Sequence, residues 1–268
     1  LREFAEAGAR LLGGALHRAE ALHGGDLSSV AHIDLQDGRQ AVIKTGPAPR
    51  FEAAMLRAMA AAGAPVPPVL AVDDRVLAIG FVAAHGTLGD AWADLGRCLA
   101  RLHSTTGKRY GWADDYAFGP VAIENGWAMC WPDFYAQRRL LPHLPHVSSA
   151  IARRVETLAE DLGNRLPRNP PAALLHGDLW GGNVLVAGSN IAAFIDPACI
   201  YGHAEVDVAM LGLFDRPNAE FREAYGAAEP GLEERLAIYR LWPALVHLRL
   251  FGSAYRGMVE GLLAEAGV

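Results

Sequence analysis

Cysteine is scarce in this chain: Cys98, Cys130 and Cys199 are the three in 268 residues, they form no CxxC pair, and their odd number leaves one thiol over. That excludes a disulfide framework and fits a reducing compartment. Positive charge is not in excess either. The net charge is −6 and no basic cluster stands out, which removes the electrostatic case for nucleic acid. No uninterrupted apolar run reaches spanning length and no signal-peptide pattern opens the chain. The expectation is a soluble, cytoplasmic protein with neither a nucleic-acid nor a membrane partner. There are no internal repeats and no low-complexity tract beyond an alanine bias. What remains is ordinary globular material, 51% hydrophobic and 20% charged, long enough for one large domain or two lobes.

Against that background one stretch stands out. His176-Gly177-Asp178-Leu179-Trp180-Gly181-Gly182-Asn183 sets Asp178 and Asn183 five positions apart, the interval of the Asp and Asn in a kinase catalytic loop. Two apolar strands follow around the turn Gly188-Ser189-Asn190, so the chain doubles back and returns Asp196 beside Asn183. Asn183 and Asp196 offer oxygen ligands, which suit Mg²⁺ when phosphates supply the rest. Asp178 is left to accept a proton from an attacking hydroxyl. Taken singly, HGD reads as a capped turn and Asp-Pro as a strand end. Their joint occurrence reads as a phosphotransferase site.

The organisation fits. Arg2 to Leu12 has a helical pattern, Val30 to Leu35 and Gln40 to Lys44 pair across an Asp-Gly turn, and Phe51 to Ala62 is an alanine-rich helix stopped by Gly63. Val69 to Val72 and Val76 to Ile79 form a second hairpin. Beyond about residue 84 helices dominate: 95–103, 151–162, 206–214, 232–242 and 245–258. The expected fold class is α+β, a two-lobed protein-kinase-like fold. Residues 1–84 would be the small β-rich nucleotide-binding lobe, and 85–268 the larger α-helical lobe with the catalytic hairpin and the acceptor site.

Within the first lobe, Gly24-Gly25-Asp26-Leu27-Ser28-Ser29 precedes a strand. Paired glycines let backbone amides approach phosphate oxygens, and Ser28 and Ser29 add hydroxyls, although Gly-Gly is also a plain turn. The segment is neither a Walker A sequence nor a GxGxxG. Lys44 ends an apolar strand where a kinase places its phosphate-binding lysine, and Glu52 near the start of the next helix is its candidate partner. Ile79-Gly80-Phe81-Val82 would be the hinge, its backbone meeting adenine. Only about ten residues separate Asp196 from the helix near Val206, and no Ala-Pro-Glu follows, so a protein kinase with a long activation loop is excluded. Asp207 at that helix's start reads as a brace for the catalytic loop rather than a third metal ligand.

The run His176 to Asn183, with Ile195-Asp196-Pro197-Ala198 and Tyr201-Gly202-His203-Ala204-Glu205-Val206-Asp207-Val208-Ala209-Met210, resembles the fructosamine kinase (ketosamine-3-kinase) family. That family belongs to the aminoglycoside-phosphotransferase-like branch of the kinase fold. The likeness extends over nearly the whole chain, through Tyr110-Gly111-Trp112, Asn125-Gly126-Trp127 and Tyr239-Arg240-Leu241-Trp242-Pro243. It implies Mg²⁺-dependent transfer of the ATP γ-phosphoryl to the 3-hydroxyl of a fructosamine or ribulosamine, whose phosphorylated adduct then breaks down, a deglycation reaction. The ketosamine would be small-molecule or protein-bound, and the enzyme a monomer or weak dimer. Trp180 and His203 are candidates for the acceptor site. The family often has Ser where Gly181 stands and more commonly an acidic residue where Gly80 stands, and some members carry a cysteine in the Gly-rich loop that residues 24–29 lack. The rival readings are a same-fold kinase for an aminoglycoside, choline or another hydroxylated metabolite, and a non-catalytic nucleotide-binding scaffold. The intact Lys, Asp, Asn and Asp set disfavours the scaffold.

Overall fold

The structure is a computed structural model and describes residues 1–22, 29–46 and 48–268. Its contacts divide into two compact units, Leu1–Ala91 with Asn183–Pro197, and Trp92–Gly182 with Ala198–Val268.

The first unit is built on a five-stranded antiparallel sheet in the order β1-β2-β3-β5-β4, with β1 Leu16–Leu22, β2 Ser29–Leu35, β3 Gln40–Thr45, β4 Val69–Val72 and β5 Val76–Ile79. Side chains of a strand alternate between faces, and here the alternation sorts two cores. Ala31, Ile33, Leu35 and Ile43 pack with Ala5 and Ala9 of helix α1 (Arg2–Leu11). Val42, Leu77 and Ile79 pack with Ala53 and Leu56 of helix α2 (Pro49–Ala61). Two residues on from Val42, Lys44 therefore shares the α2 face. Helix α1 lies close on its own face: a Cβ on Gly8 would stand 2.5 Å from Ile43 Cδ1.

Strand β1 was not foreseen in the sequence. It is an edge strand, His17 to Leu22 is largely exposed, and so it shows little of the burial alternation that marks an inner strand. The hairpin Val184–Ala187 with Asn190–Phe194 was foreseen, and pairs Val184 with Phe194 and Ala187 with Asn190. Its contacts lie with the first unit and not with the 85–268 lobe expected from the sequence. His85 N donates to Val186 O (2.8 Å) and Phe194 N to Pro65 O (2.8 Å). Backbone pairing across a long sequence gap leaves no local pattern to read.

The second unit is mainly helical: α3 (Trp92–His103), α4 (Trp131–Tyr135), α5 (Ser149–Arg165), α6 (Glu205–Phe214), α7 (Ala219–Tyr225), α8 (Leu232–Phe251) and α9 (Arg256–Glu265). Its core gathers Trp131, Phe134, Tyr135, Tyr239 and Trp242 with aliphatic residues of α5, α6, α8 and α9. One expectation is corrected. The sequence reads as two helices parted near Pro243, whereas α8 runs through Pro243 and ends at Phe251. A proline lacks the N–H that would bond the carbonyl four residues back. That carbonyl belongs to Tyr239, and the Tyr135 hydroxyl donates to it at 2.9 Å. The orphaned acceptor is satisfied from α4, and the helix continues. No helix among the described residues is long and apolar enough to cross a membrane.

Candidate active site

Lys44 is one of only two lysines in the chain, the other being Lys108. It is buried, and its Nζ donates to Glu52 Oε1 at 2.5 Å and to Asp196 Oδ1. The sheet face explains the first contact: β3 aims Lys44 at α2, whose first turn carries Glu52. The hairpin explains the second by returning Asp196 to the same unit. Burial alone would push the Lys44 ammonium down, but the two carboxylates outweigh it and hold it above its ordinary value.

Asp196 has φ 55° and is the single non-glycine residue with positive φ among the described residues. An aspartate held in the left-handed region carries backbone strain, and such strain collects where a side chain must be aimed. Ile195 N donates to Asn183 O at 3.0 Å, which fixes Asn183 at the same end of the hairpin. Asn183 is buried, while the Asp196 side chain keeps 31% of its surface. A carboxylate and a side-chain amide oxygen are the donor types a hard divalent cation takes.

In the second unit, the loop bearing Asp178 is fixed from two sides. Asp207 is fully buried in the first turn of α6, where it accepts His176 N–H (2.7 Å), Gly177 N–H (2.9 Å) and a bond with His103 Nε2 (3.0 Å). Burial pushes its carboxyl up, but the His103 hydrogen bond, the His103 and His176 charges and the Gly177 amide together hold it below the ordinary aspartate value. This is the brace expected from the sequence. On the other side Ala198 N donates to His176 O at 2.8 Å. Gly177 has φ 83°, and a Cβ there would stand 2.0 Å from Ala198 O, so only glycine fits. Asp178 N in turn donates to His176 Nδ1 at 3.2 Å.

The remaining candidates are placed as follows. Gly24, Gly25 and Ser28 lie outside the described residues; Ser29 opens β2, and its carbonyl accepts from Thr45 Oγ1 at 3.4 Å. Gly80 N donates to Pro68 O at 2.9 Å, and a Cβ on Gly80 would come within 2.7 Å of the Pro68 ring. The absence of a side chain at Gly80 thus answers to Pro68. Phe81 is exposed and stacks on His32 with centroids 4.3 Å apart; Val82 is half-buried.

These features have a counterpart among known proteins. The fructosamine kinase family model matches residues 8–266. The chain belongs to the fructosamine kinase family. A probable ketoamine kinase of Synechocystis sp. is 36% identical over 191 residues, covering 66% of this chain and 62% of that relative. A solved candidate fructosamine-3-kinase of Thermobifida fusca is 30% identical, with TM-score 0.91 over 99% of both chains. An aminoglycoside phosphotransferase solved with AMP-PNP and hygromycin B, 18% identical, superposes with TM-score 0.69 over 98% of this chain and 99% of its own. That more distant match shares the fold. The α+β kinase-like architecture expected from the sequence is therefore the architecture of this family.

The two residues expected at the acceptor site, His203 and Trp180, differ in their surroundings. His203 is buried, and its Nδ1 bonds the Tyr239 hydroxyl at 2.8 Å, while Trp131 Nε1 donates to that same hydroxyl at 2.9 Å. Burial lowers the His203 imidazole to about 4, so it is neutral near pH 7. His203, Glu205 and Glu229 have ligating atoms within 4.8 Å of one another, but Glu205 is already held by Arg235 through two bonds of 2.7 and 2.5 Å. The cluster reads as an ion-pair network supporting α6, and His203 as a packing residue rather than an acceptor contact. Trp180 is different: it is 40% exposed, meets Phe214 edge-on at 6.3 Å, and its ring lies over Gly182.

A residue that motif reading missed is Asp215, just beyond α6. Its Oδ2 accepts Gly181 N–H at 2.7 Å, and a Cβ on Gly181 would stand 2.7 Å from its Oδ1. The absence of a side chain at Gly181 leaves room for this carboxylate. The only signal in the sequence was Gly181 itself.

Proposed function

We propose that this member of the family transfers the γ-phosphoryl of ATP to a hydroxyl of a ketosamine, the 3-hydroxyl of a fructosamine or ribulosamine, free or protein-bound, in deglycation. The observation that carries the reading is the lysine held between two carboxylates, one of them the strained Asp196 that the hairpin returns beside Asn183. Lys44 would hold the α- and β-phosphates and Glu52 would keep it aimed. Residues 1–84 would form the nucleotide-binding lobe, with the 24–29 segment and the backbone of Gly80 to Val82 contributing and the 183–197 hairpin counted with it, and the rest of residues 85–268 the catalytic and acceptor lobe. The oxygen donors of Asn183 and Asp196 fit Mg²⁺, which when bound supplies charge neutralisation at the phosphate oxygens. Asp178 would accept the proton of the acceptor hydroxyl as its oxygen forms the bond to Pγ and the bond from Pγ to the ADP oxygen breaks. Trp180 would face the sugar. The free thiols Cys98, Cys130 and Cys199 fit a cytoplasmic setting.

The test is turnover of fructose- and ribulose-modified lysine with ATP, read by ADP release, with phosphorus NMR and mass spectrometry locating the new phosphate. The 3-deoxy analogues should be inert, because a site built around the reacting hydroxyl strongly rejects an analogue lacking it. Efficient turnover of aminoglycosides or choline with every ketosamine inert would overturn the acceptor and leave the phosphotransferase.

A further inference from the structure

Asp215 is a carboxylate with one oxygen in use. Oδ2 accepts Gly181 N–H, while Oδ1 has no hydrogen-bond partner, and no Lys, Arg or His lies within ion-pair distance of the group among the described residues. It is half-buried and sits two positions beyond the α6 residue Leu213, next to exposed Phe214. Phe214 in turn meets Trp180 edge-on, and Trp180 follows Asp178 by two residues on the catalytic loop. An unpaired carboxylate beside two exposed aromatic rings is the combination that recognises an alkylammonium: the anion supplies charge and the ring faces supply cation–π attraction. His247, the imidazole packed on Phe214 at 4.8 Å, is pushed down by burial and brings no opposing charge near neutral pH.

Gly181 and Gly182 make the arrangement possible. A side chain at 181 would collide with Oδ1, and one at 182 would lift Trp180, since its Cβ would stand 2.2 Å from Trp180 Cη2. The loop is thus cleared of side chains where the carboxylate and the indole lie. We propose that Asp215, with Trp180 and Phe214, binds the protonated amine of the acceptor and makes this protein select cationic over neutral sugar derivatives. The inference rests on the proposed function and names the part of the acceptor that this chain reads.

The test compares two acceptors that differ in one atom: 1-methylamino-1-deoxyfructose, a cation at pH 7, and its ether analogue 1-O-methylfructose, which is neutral. The wild type should favour the amine by roughly 10–100-fold in kcat/KM, the range expected for a charge-assisted contact. Asp215→Asn keeps an oxygen for Gly181 N–H and should cost the amine far more than the ether in kcat/KM, collapsing the preference between them, with no change in the KM for ATP. Asp215→Glu keeps the charge and should keep a preference. Equal losses on both acceptors in Asp215→Asn would make the residue a loop support only, and no loss on either would remove it from the site; both results overturn the proposal. Should the wild type phosphorylate neither compound, the ketosamine reading fails. The charge preference is then read from tryptophan fluorescence titrations of wild type and Asp215→Asn with the same pair. Tighter amine binding that the variant loses supports it, and equal binding overturns it.

Discussion

Asp207 and Gly177 lie 30 residues apart and are joined by a 2.9 Å hydrogen bond from the Gly177 amide to the buried Asp207 carboxylate. The same carboxylate takes the His176 amide at 2.7 Å, so one side chain on α6 sets the backbone from which Asp178 projects. Phosphoryl transfer depends on placing groups rather than on protein covalent chemistry. On the proposed mechanism the placement of Asp178 is therefore inherited from α6 through the His176 and Gly177 amides.

Asp207→Ala should cost about 3–5 kcal/mol of stability, because two buried amides and His103 lose their partner at once. The loss should depend on pH. The Asp207 carboxyl is held below the ordinary 3.8, so its contribution is fully present above that value and fades as pH falls through the lower, folded one. Urea titrations of wild type and variant should show a full gap at pH 6 that closes at strongly acid pH. A gap that widened on acidification would contradict the assignment.

Gly177→Ala should be more damaging than its size implies. The added methyl must adopt φ 83° and would stand 2.0 Å from Ala198 O, so strain and overlap combine. Together they are worth about 4 kcal/mol. Thermal unfolding would report it, with Gly163→Ala in α5, where a Cβ meets nothing within 4 Å, as the harmless comparison.

Much of this was legible in the sequence because it is local. The interval from Asp178 to Asn183, the Gly188 turn and the apolar strands define a hairpin without reference to any other part of the chain. The 2.5 Å contact of Lys44 with Glu52 follows from strand alternation and the start of α2. What stayed hidden depends on partners far away in sequence. Pro243 fails to end α8 because Tyr135, over 100 residues earlier, fills the carbonyl that the proline leaves empty. Asp215 carries no motif, and its meaning comes from a glycine 34 residues before it. The exposed edge strand β1 had too little burial to leave a pattern.

Lys44→Met should reduce kcat/KM for ATP by roughly 10²–10³, the usual effect of removing one preorganised group that meets developing charge. Arginine should not rescue it, since the space between Glu52 and Asp196 fits a point charge on a slim stem rather than a planar fork. Initial rates against ATP concentration decide the matter. Wild-type kinetics in Lys44→Met would separate this lysine from the nucleotide.

Asp178 and Asp196 should fail in different ways. Asp178→Asn preserves shape and removes the proton acceptor, so turnover should fall roughly 10²–10⁴-fold, or about 3–5 kcal/mol of barrier, with nucleotide affinity largely kept. Asp196→Ala removes an oxygen donor and also releases Lys44 from one of its two carboxylates. Nucleotide binding should then lose its response to Mg²⁺, and a chelator should reproduce that loss in the wild type. Isothermal titrations with a non-hydrolysable ATP analogue, run with and without Mg²⁺, separate the two defects. The reading requires a variant that binds and does not turn over, and another that no longer senses the metal. Identical behaviour of the two variants in those titrations would falsify the division of labour between the loop and the hairpin.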